Sequence, residues 1–407
     1  MGDHSKSGVF ALLALAISAF AIGTTEFISV GLLPLISHDL HVPVTTAGLT
    51  VSLYAFGVMI GAPVLTALTS NLPRKTLLLA IMLVFILGNA VAAVSTSLWL
   101  LLAARMIAAF SHGVFMSVGA TTAAALVPEG RRAGAISILF SGLTAAIIAG
   151  VPFGTYLGQQ MGWRAAFATI TAIGIVALAA NGLLVPSGLK NNARRIALGE
   201  PFKLLSNGRI LLMFVITALG YGGTFVVFTY LSPLLQEVSG FGQSTIAVIL
   251  LVYGIAVAIG NVVGGKAANR RPLSALILIF GAQALVLALL SFAFASGSKT
   301  AVLAAVFLMG LMAFMSASGL QLYVVMLAER FVPAAVDVAS AVNITAFNAG
   351  IVIGSFLGGR IAGSIGITHT AWGGALMVLG AIVLTGWMKA LERKDHAGAW
   401  DGAATTK

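Results

Sequence analysis

The chain of 407 residues has no cysteine, and only 8% of its residues are charged. Without cysteine there can be no disulfide framework, no thiolate metal site and no thiol nucleophile. The six histidines are scattered, with no pair at metal-ligand spacing, so neither a metal nor a cofactor is expected. The scarcity of charge excludes more. Soluble domains are about 25% charged and roughly 45–50% apolar; this chain is 59% hydrophobic, with mean hydropathy +1.06. Its 22 basic and 11 acidic side chains are too few to cover a water-soluble protein of this length. A soluble enzyme, a disordered chain and a nucleic-acid-binding domain are excluded, which leaves a polytopic membrane protein.

What the sequence does have is long apolar runs. A helix that crosses the bilayer needs about 20 mostly apolar residues. Such runs occupy 8–33, 46–68, 76–95, 99–126, 134–157 and 165–185, and resume at 209–233, 244–265, 273–295, 300–327, 338–362 and 370–389. Lipid offers backbone groups no hydrogen-bond partners, so these runs are expected to be helices; barrel strands would be short and alternating. The first run is preceded by a single Lys and lacks a convincing cleavage pattern, so it reads as a retained helix rather than a signal peptide.

Basic residues orient the chain. With the N-terminus in the cytoplasm, the inner segments hold 18 of the 22 Lys and Arg, against Arg164 and Lys299 outside and Arg105 and Arg360 within helices. The net charge of +11 is therefore a topology signal, helped by anionic lipid. The expected location is the bacterial inner membrane, with both termini cytoplasmic. The expected partners are the bilayer, protons and a small-molecule substrate, with the chain acting as a monomer.

One long polar connection, Pro186–Gly208, divides the runs six and six. The expected units are a bundle over 1–185, a cytoplasmic linker over 186–208, a second bundle over 209–389 and a tail over 390–407. At an offset of 199 the halves match without gaps: Pro34 with Pro233, Thr46 with Thr245, Tyr54 with Tyr253, Gly61 with Gly260, Pro73 with Pro272. Six is even, so the copies share an orientation and are related by a pseudo-two-fold axis along the membrane normal. That arrangement is described for transporters that bind substrate between their halves.

Several motifs now narrow the field. They are Gly23-Thr-Thr-Glu-Phe27 with Gly31-Leu-Leu-Pro34 in the first run, and Arg105 with Ser111-His112-Gly113 in the fourth. The fifth carries Gly142 to Gly158 followed by Gly162-Trp-Arg164; Thr229-Tyr-Leu-Ser-Pro233, Gly264-Gly-Lys266 and Asn343 to Asn348 follow in the second half. Together they resemble twelve-span drug:proton antiporters of the major facilitator superfamily, and within them the arabinose-efflux-like permease (AraJ/YdhP-type) branch. The resemblance covers nearly the whole chain apart from the tails and most of the central loop. It departs from the family in the loop after the second helix, where Ser70 precedes Arg74 and Lys75 in place of the usual acidic residue. Asn269 takes the corresponding place beside Lys266 and Arg270. The acid-based latch that the family forms in this loop is in doubt here.

Glu26 is the only carboxylate well inside an apolar run. Ionisable groups are costly there and face a cavity or a partner, and a carboxyl group removed from water holds its proton more readily. Counting from helix ends at 1.5 Å per residue puts Glu26 and Arg105 both about 10 Å from the outer surface. They can therefore meet if the first and fourth helices are neighbours, as the family fold implies. Two readings are open: a proton site tuned by Arg105, or a fixed ion pair. His112, seven residues after Arg105 on roughly the same face, reads either as a proton relay or as a packing residue.

In the fifth helix, Pro152 removes an amide donor, while Gly150, Gly154 and Gly158 leave a smooth stripe for close helix contact. The resemblance makes this the antiporter signature, packed where the two halves rock. The second half offers neutral cavity candidates: Tyr221, Tyr230, Gln321, Tyr323, Asn343 and Asn348. Tyr54 and Tyr253 hold equivalent repeat positions and read equally as structural.

The leading expectation is a secondary exporter driven by inward proton movement. No GxxxxGK[ST] run for ATP is present. A membrane enzyme would want a cluster of His or carboxylates, and a channel would not need a repeat with an acid in one half only. The alternative is a proton-independent facilitator or sugar permease in which Glu26 is structural. Drug-like compounds and sugars both remain open as substrates.

Overall fold

The computed structural model describes residues 2–69, 71–187, 204–268 and 271–404. Twelve helices are long and apolar enough to cross a membrane. In the first half they are α1 Gly8–Asp39, α2 Val44–Leu65, α3 Arg74–Ala93, α4 Leu98–Ala125, α5 Glu129–Met161 and α6 Trp163–Leu184. In the second they are α7 Gly208–Val238, α8 Gln243–Ala268, α9 Pro272–Ala295, α10 Lys299–Phe331, α11 Val338–Ser364 and α12 Ile367–Arg393. All twelve apolar runs become helices, and no strand occurs among the described residues.

Two boundaries differ from the sequence reading for a physical reason. The first run was expected to stop before Pro34, yet α1 continues through it to Asp39. A proline removes one intrahelical hydrogen bond, and neighbouring helices in a bundle tolerate that loss. Likewise α7 passes Pro233 and closes on a π-type turn at Leu234–Val238. Further π turns fall at Gly61–Leu65, which contains Pro63, and at Ala146–Gly150, just before Pro152. Each widens a helix beside a proline, where the ladder is already interrupted.

The helices pack as two six-helix bundles. In the first, α1 lies against α5 and α6, α3 against α4 and α6, and α2 against α4. In the second, α7 lies against α11 and α12, α9 against α10 and α12, and α8 against α10. The second list is the first advanced by six helices, which is the pseudo-two-fold relation. The crossings between bundles repeat as well: α2 runs beside α11, and α5 beside α8. The turn from α5 to α6 is a single residue, Gly162, at φ +88°, where a side chain would be strained. There the Asp39 carboxylate at the end of α1 accepts from Trp163 Nε1 at 3.0 Å and from Arg164 Nη1 at 2.7 Å. Of the sequence landmarks, Ser70, Asn269, Arg270 and the linker cations Lys190, Arg194, Arg195 and Lys203 lie outside the described residues.

Candidate functional site

Arg105 is buried on α4, and each of its three guanidinium nitrogens donates to a backbone carbonyl. Nη1 donates to the Thr25 carbonyl at 2.5 Å, Nη2 to the Glu26 carbonyl at 3.3 Å and Nε to the Thr50 carbonyl at 3.2 Å. One side chain thus fastens α1, α2 and α4 together. Its planar fork suits such multiple anchoring, which a lysine could not reproduce. The Tyr54 ring covers the guanidinium at 4.1 Å, and the Tyr54 hydroxyl shares a 3.3 Å hydrogen bond with His112 Nδ1. Tyr54 and His112 are both buried.

Of the two readings left open for Glu26 and Arg105, the direct ion pair is the one the structure does not form. The first and fourth helices are neighbours at the right level, but Arg105 takes the carbonyl oxygen of Glu26 and not its carboxylate. Among the described residues the ion pairs are Arg132–Glu129 and Arg164–Asp39. The depth count for Glu26 also changes, because α1 continues past Pro34: Glu26 lies roughly three and a half turns from the end of α1, near the middle of the helix. It is half-buried, and it lies near Arg105 and Tyr54 of the first half and Tyr221 of the second. The carboxylate therefore sits between the two bundles.

Beside it, Phe27 reaches across the bundle interface. Its ring lies 6.2 Å from Phe225, 6.4 Å from Phe228 and 6.2 Å from Phe314. Tyr221 extends the cluster to Phe314 at 5.3 Å and Phe347 at 4.9 Å, and Phe228 stacks on Tyr253 at 4.7 Å. Phe27, Phe228, Tyr253 and Phe314 share with Ile147, Val151 and Leu250 a cavity of only about 10 Å³. The centre is apolar, aromatic and nearly filled. Phe225, Phe228 and Phe314 were not singled out in the sequence, and Phe27 and Phe347 entered only as members of motifs, because a phenylalanine in an apolar run looks the same whether it meets lipid or a cavity. The usable signal was Phe27, adjacent to Glu26.

The neutral candidates of the second half separate into three places. Tyr221 joins the central cluster. Gln321, Asn343 and Thr217 form a closed relay across α10, α11 and α7: Thr217 Oγ1 donates to Asn343 Oδ1 at 2.9 Å, Asn343 Nδ2 to Gln321 Oε1 at 2.7 Å, and Gln321 Nε2 to the Ser340 hydroxyl. Asn348 is buried and donates to its own helix at Ile344, while its Oδ1 finds no hydrogen-bond partner in the structure. Tyr323 donates to the Glu392 carboxylate, which ties α10 to the end of α12.

Tyr230 stands at the face away from the termini. Its hydroxyl lies 3.5 Å from the Thr45 carbonyl of α2 and 3.4 Å from the Ser355 carbonyl of α11, in a slot that any side chain at Gly48 would fill. It belongs by chain to the second bundle and by packing to the core of the first. The two bundles are closed against each other at this face.

The glycine stripe of α5 faces the opposite way from expectation. Cβ atoms built at Gly150, Gly154 and Gly158 would overlap Thr24, Ile28 and Leu32 of α1, inside the same bundle. The contact between bundles uses the other side of α5, where Ile147 and Val151 approach α8; there the glycine is the partner's, since a Cβ at Gly254 would lie 2.5 Å from the Ile147 carbonyl oxygen. Pro152 follows the π turn that sets off this segment of α5. At the loop motif, Arg74 is buried and donates to the Thr121 carbonyl at 2.9 Å, which joins α3 to α4. Lys75 is half-buried and Lys266 is exposed.

Comparison with known proteins points one way. The sequence model of the Major Facilitator Superfamily matches residues 15–328. The MFS-type transporter YtbD of Bacillus subtilis is 63% identical over 98% of this chain and 100% of its own length. The inner membrane transport protein YdhP of Escherichia coli K12 is 34% identical over 92% of this chain and 93% of its own. A chloramphenicol resistance protein of Streptomyces lividans is 35% identical over 92% and 94%. Among solved structures, the nucleoside transporter NupG superposes with a TM-score of 0.73 at 14% identity, covering 94% of this chain and 99% of the other. That likeness concerns the fold.

Proposed function

This chain belongs to the major facilitator superfamily, and from that premise we propose that it exports a small apolar or aromatic molecule by alternating access, driven by protons moving the other way. The observation that carries the reading is the state of Glu26. It is the one carboxylate well inside a span; it is partly exposed between the bundles; and no cation among the described residues is paired with it. Arg105 fixes the backbone on which Glu26 is mounted and leaves the carboxylate to exchange its proton. Tyr54, which covers the Arg105 guanidinium, and His112, bonded to Tyr54, complete the polar patch around Arg105.

The aromatic cluster supports the substrate class. Phe27, Tyr221, Phe225, Phe228 and Phe314 offer π faces and apolar area beside a single acid. Such a lining suits a lipophilic compound that reaches the site as the bundles part. A sugar site would need several unengaged donors and acceptors, whereas Gln321 and Asn343 are already bonded to each other. The 35% identical chloramphenicol resistance protein supports the same reading. The proposed orientation is that of the basic loops, with both termini cytoplasmic and the protein acting as a monomer in a bacterial inner membrane. The closed Tyr230 face is then periplasmic.

Everted vesicles energised by respiration, with a pH-sensitive dye, test this reading. Chloramphenicol is added first, then other lipophilic aromatics, then sugars. The expected result is compound-induced proton release in the wild type and none in Glu26→Gln. Uptake of a compound with no proton signal in either protein would make the chain a facilitator, with Glu26 structural.

A further inference from the structure

At the closed face, a cleft of about 400 Å³ opens beside Tyr230, between the start of α2 and the last turns of α11. One wall, from the first bundle, carries Thr45, Thr46 and Ser52; the other, from the second, carries Ser355, Phe356 and Arg360. The lining has one cation, several hydroxyls and no acid. Arg360 is one of four basic residues outside the terminal-side segments, its side chain is exposed, and no carboxylate is paired with it among the described residues. It stands about one turn from the end of α11 at Ser364, the level at which lipid headgroups meet the protein. One further turn into the membrane, Phe356 is 59% exposed, and Ile353 beyond it is 46% exposed.

We propose that this cleft binds the phosphate of an anionic phospholipid from the leaflet away from the termini, with Arg360 and the neighbouring hydroxyls around the headgroup and Phe356 and Ile353 along an acyl chain. A guanidinium makes paired hydrogen bonds to phosphate oxygens, and the half-buried Thr45 and Thr46 hydroxyls donate to the remaining ones. The apolar strip below Arg360 distinguishes a lipid from a free phosphate ion, which has nothing to place there. The lack of an acid in the lining gives the cationic end of phosphatidylcholine no partner and favours a headgroup with net negative charge.

The walls belong to different bundles and meet beside the Tyr230–Thr45 contact. A ligand that touches both binds only while this face is closed, and so raises the population of the closed state. The lipid therefore acts as a brake on opening at this face. Neither the binding nor the brake depends on whether protons drive transport.

Native mass spectrometry of the purified full chain, titrated with dioleoyl phosphatidylglycerol or dioleoyl phosphatidylcholine, tests the site. The wild type should retain one phosphatidylglycerol more tightly than phosphatidylcholine. Arg360→Gln should weaken that retention by roughly tenfold or more, Arg360→Lys should keep most of it, and inorganic phosphate should not displace the lipid. Equal retention of the two lipids, equal retention by wild type and Arg360→Gln, equal losses in the Gln and Lys variants, or displacement by inorganic phosphate would each overturn the lipid site. The chain has no cysteine, so spin labels at His41→Cys and Ile365→Cys report the separation of the bundles at this face. Phosphatidylglycerol nanodiscs should shift that distance distribution towards the closed state in the wild type and leave Arg360→Gln unmoved. An unchanged wild-type distribution would overturn the brake.

Discussion

Thr25 and Thr224 occupy the same place in the two halves of the repeat, and each is bonded to a side-chain amide on the third helix of its own bundle. Thr25 Oγ1 donates to Asn89 Oδ1 at 3.0 Å, and Thr224 Oγ1 accepts from Gln283 Nε2 at 2.8 Å. One residue further on, the halves part: α1 has Glu26, and α7 has Phe225. The difference extends to the helices around them. Arg105 anchors α4 to α1 and α2, whereas α10 has no charged residue between Lys299 and Glu329. Tyr54 covers Arg105, but its equivalent Tyr253 stacks on Phe228. The shared positions hold each bundle together, and the divergent ones give the first bundle a buried guanidinium with a carboxylate beside it and the second an aromatic wall. A duplicated scaffold can specialise in this way because its bundles fold on the same packing positions.

This division predicts that an acid works only where its supporting shell exists. Glu26→Gln should abolish compound-driven proton movement. Adding Phe225→Glu to that variant should not restore it, since α10 offers no anchored guanidinium; recovered proton movement would break the comparison.

The next largest effect is on stability. Arg105→Ala strands three carbonyls and opens a cavity in the first bundle. It should lower unfolding stability in detergent by about 3 kcal/mol or more, read from thermal melts. Removing the neutral tie of the second bundle with Asn343→Ala should cost about 1–2 kcal/mol, and an equal or larger loss there would contradict the assigned roles.

Glycines sharpen the contrast between packing within a bundle and packing between bundles. Gly150→Ala must push against Thr24, and overpacking of this kind costs about 1–3 kcal/mol. Gly254→Ala presses instead on the Ile147 carbonyl across the bundle interface. It should slow transport measured in vesicles while leaving the melting temperature closer to wild type. The smallest effect belongs to Tyr323→Phe, which removes one hydrogen bond to Glu392. A loss of about 1 kcal/mol with transport unchanged would place Tyr323 in bundle packing, and lost transport would return it to the cavity.

The span count, the six-and-six division and the place of Glu26 inside a span could be read from the sequence, because burial in lipid demands long apolar runs and makes an isolated charge stand out. Where Arg105 points could not. Its partners are the carbonyls of Thr25, Glu26 and Thr50, and a backbone acceptor has no letter in the sequence. The continuation of α1 through Pro34 was hidden because neighbouring helices, and not the local sequence, compensate the missing hydrogen bond. The direction of the Gly150–Gly158 stripe was also ambiguous: spacing by four defines a face without saying which helix it meets. The aromatic centre was the largest omission, since lipid and core both accept phenylalanine.

The central claim is that the Glu26 carboxylate is free to gain and lose a proton while Arg105 is held by backbone. Infrared difference spectra of the protein in liposomes, recorded between low and high pH, test this most directly. A protonated-carboxyl stretch that titrates in the wild type, vanishes in Glu26→Gln and persists in Arg105→Lys is the predicted result. A Glu26 signal that stays ionised across the whole range would contradict the account and return Glu26 to a structural charge.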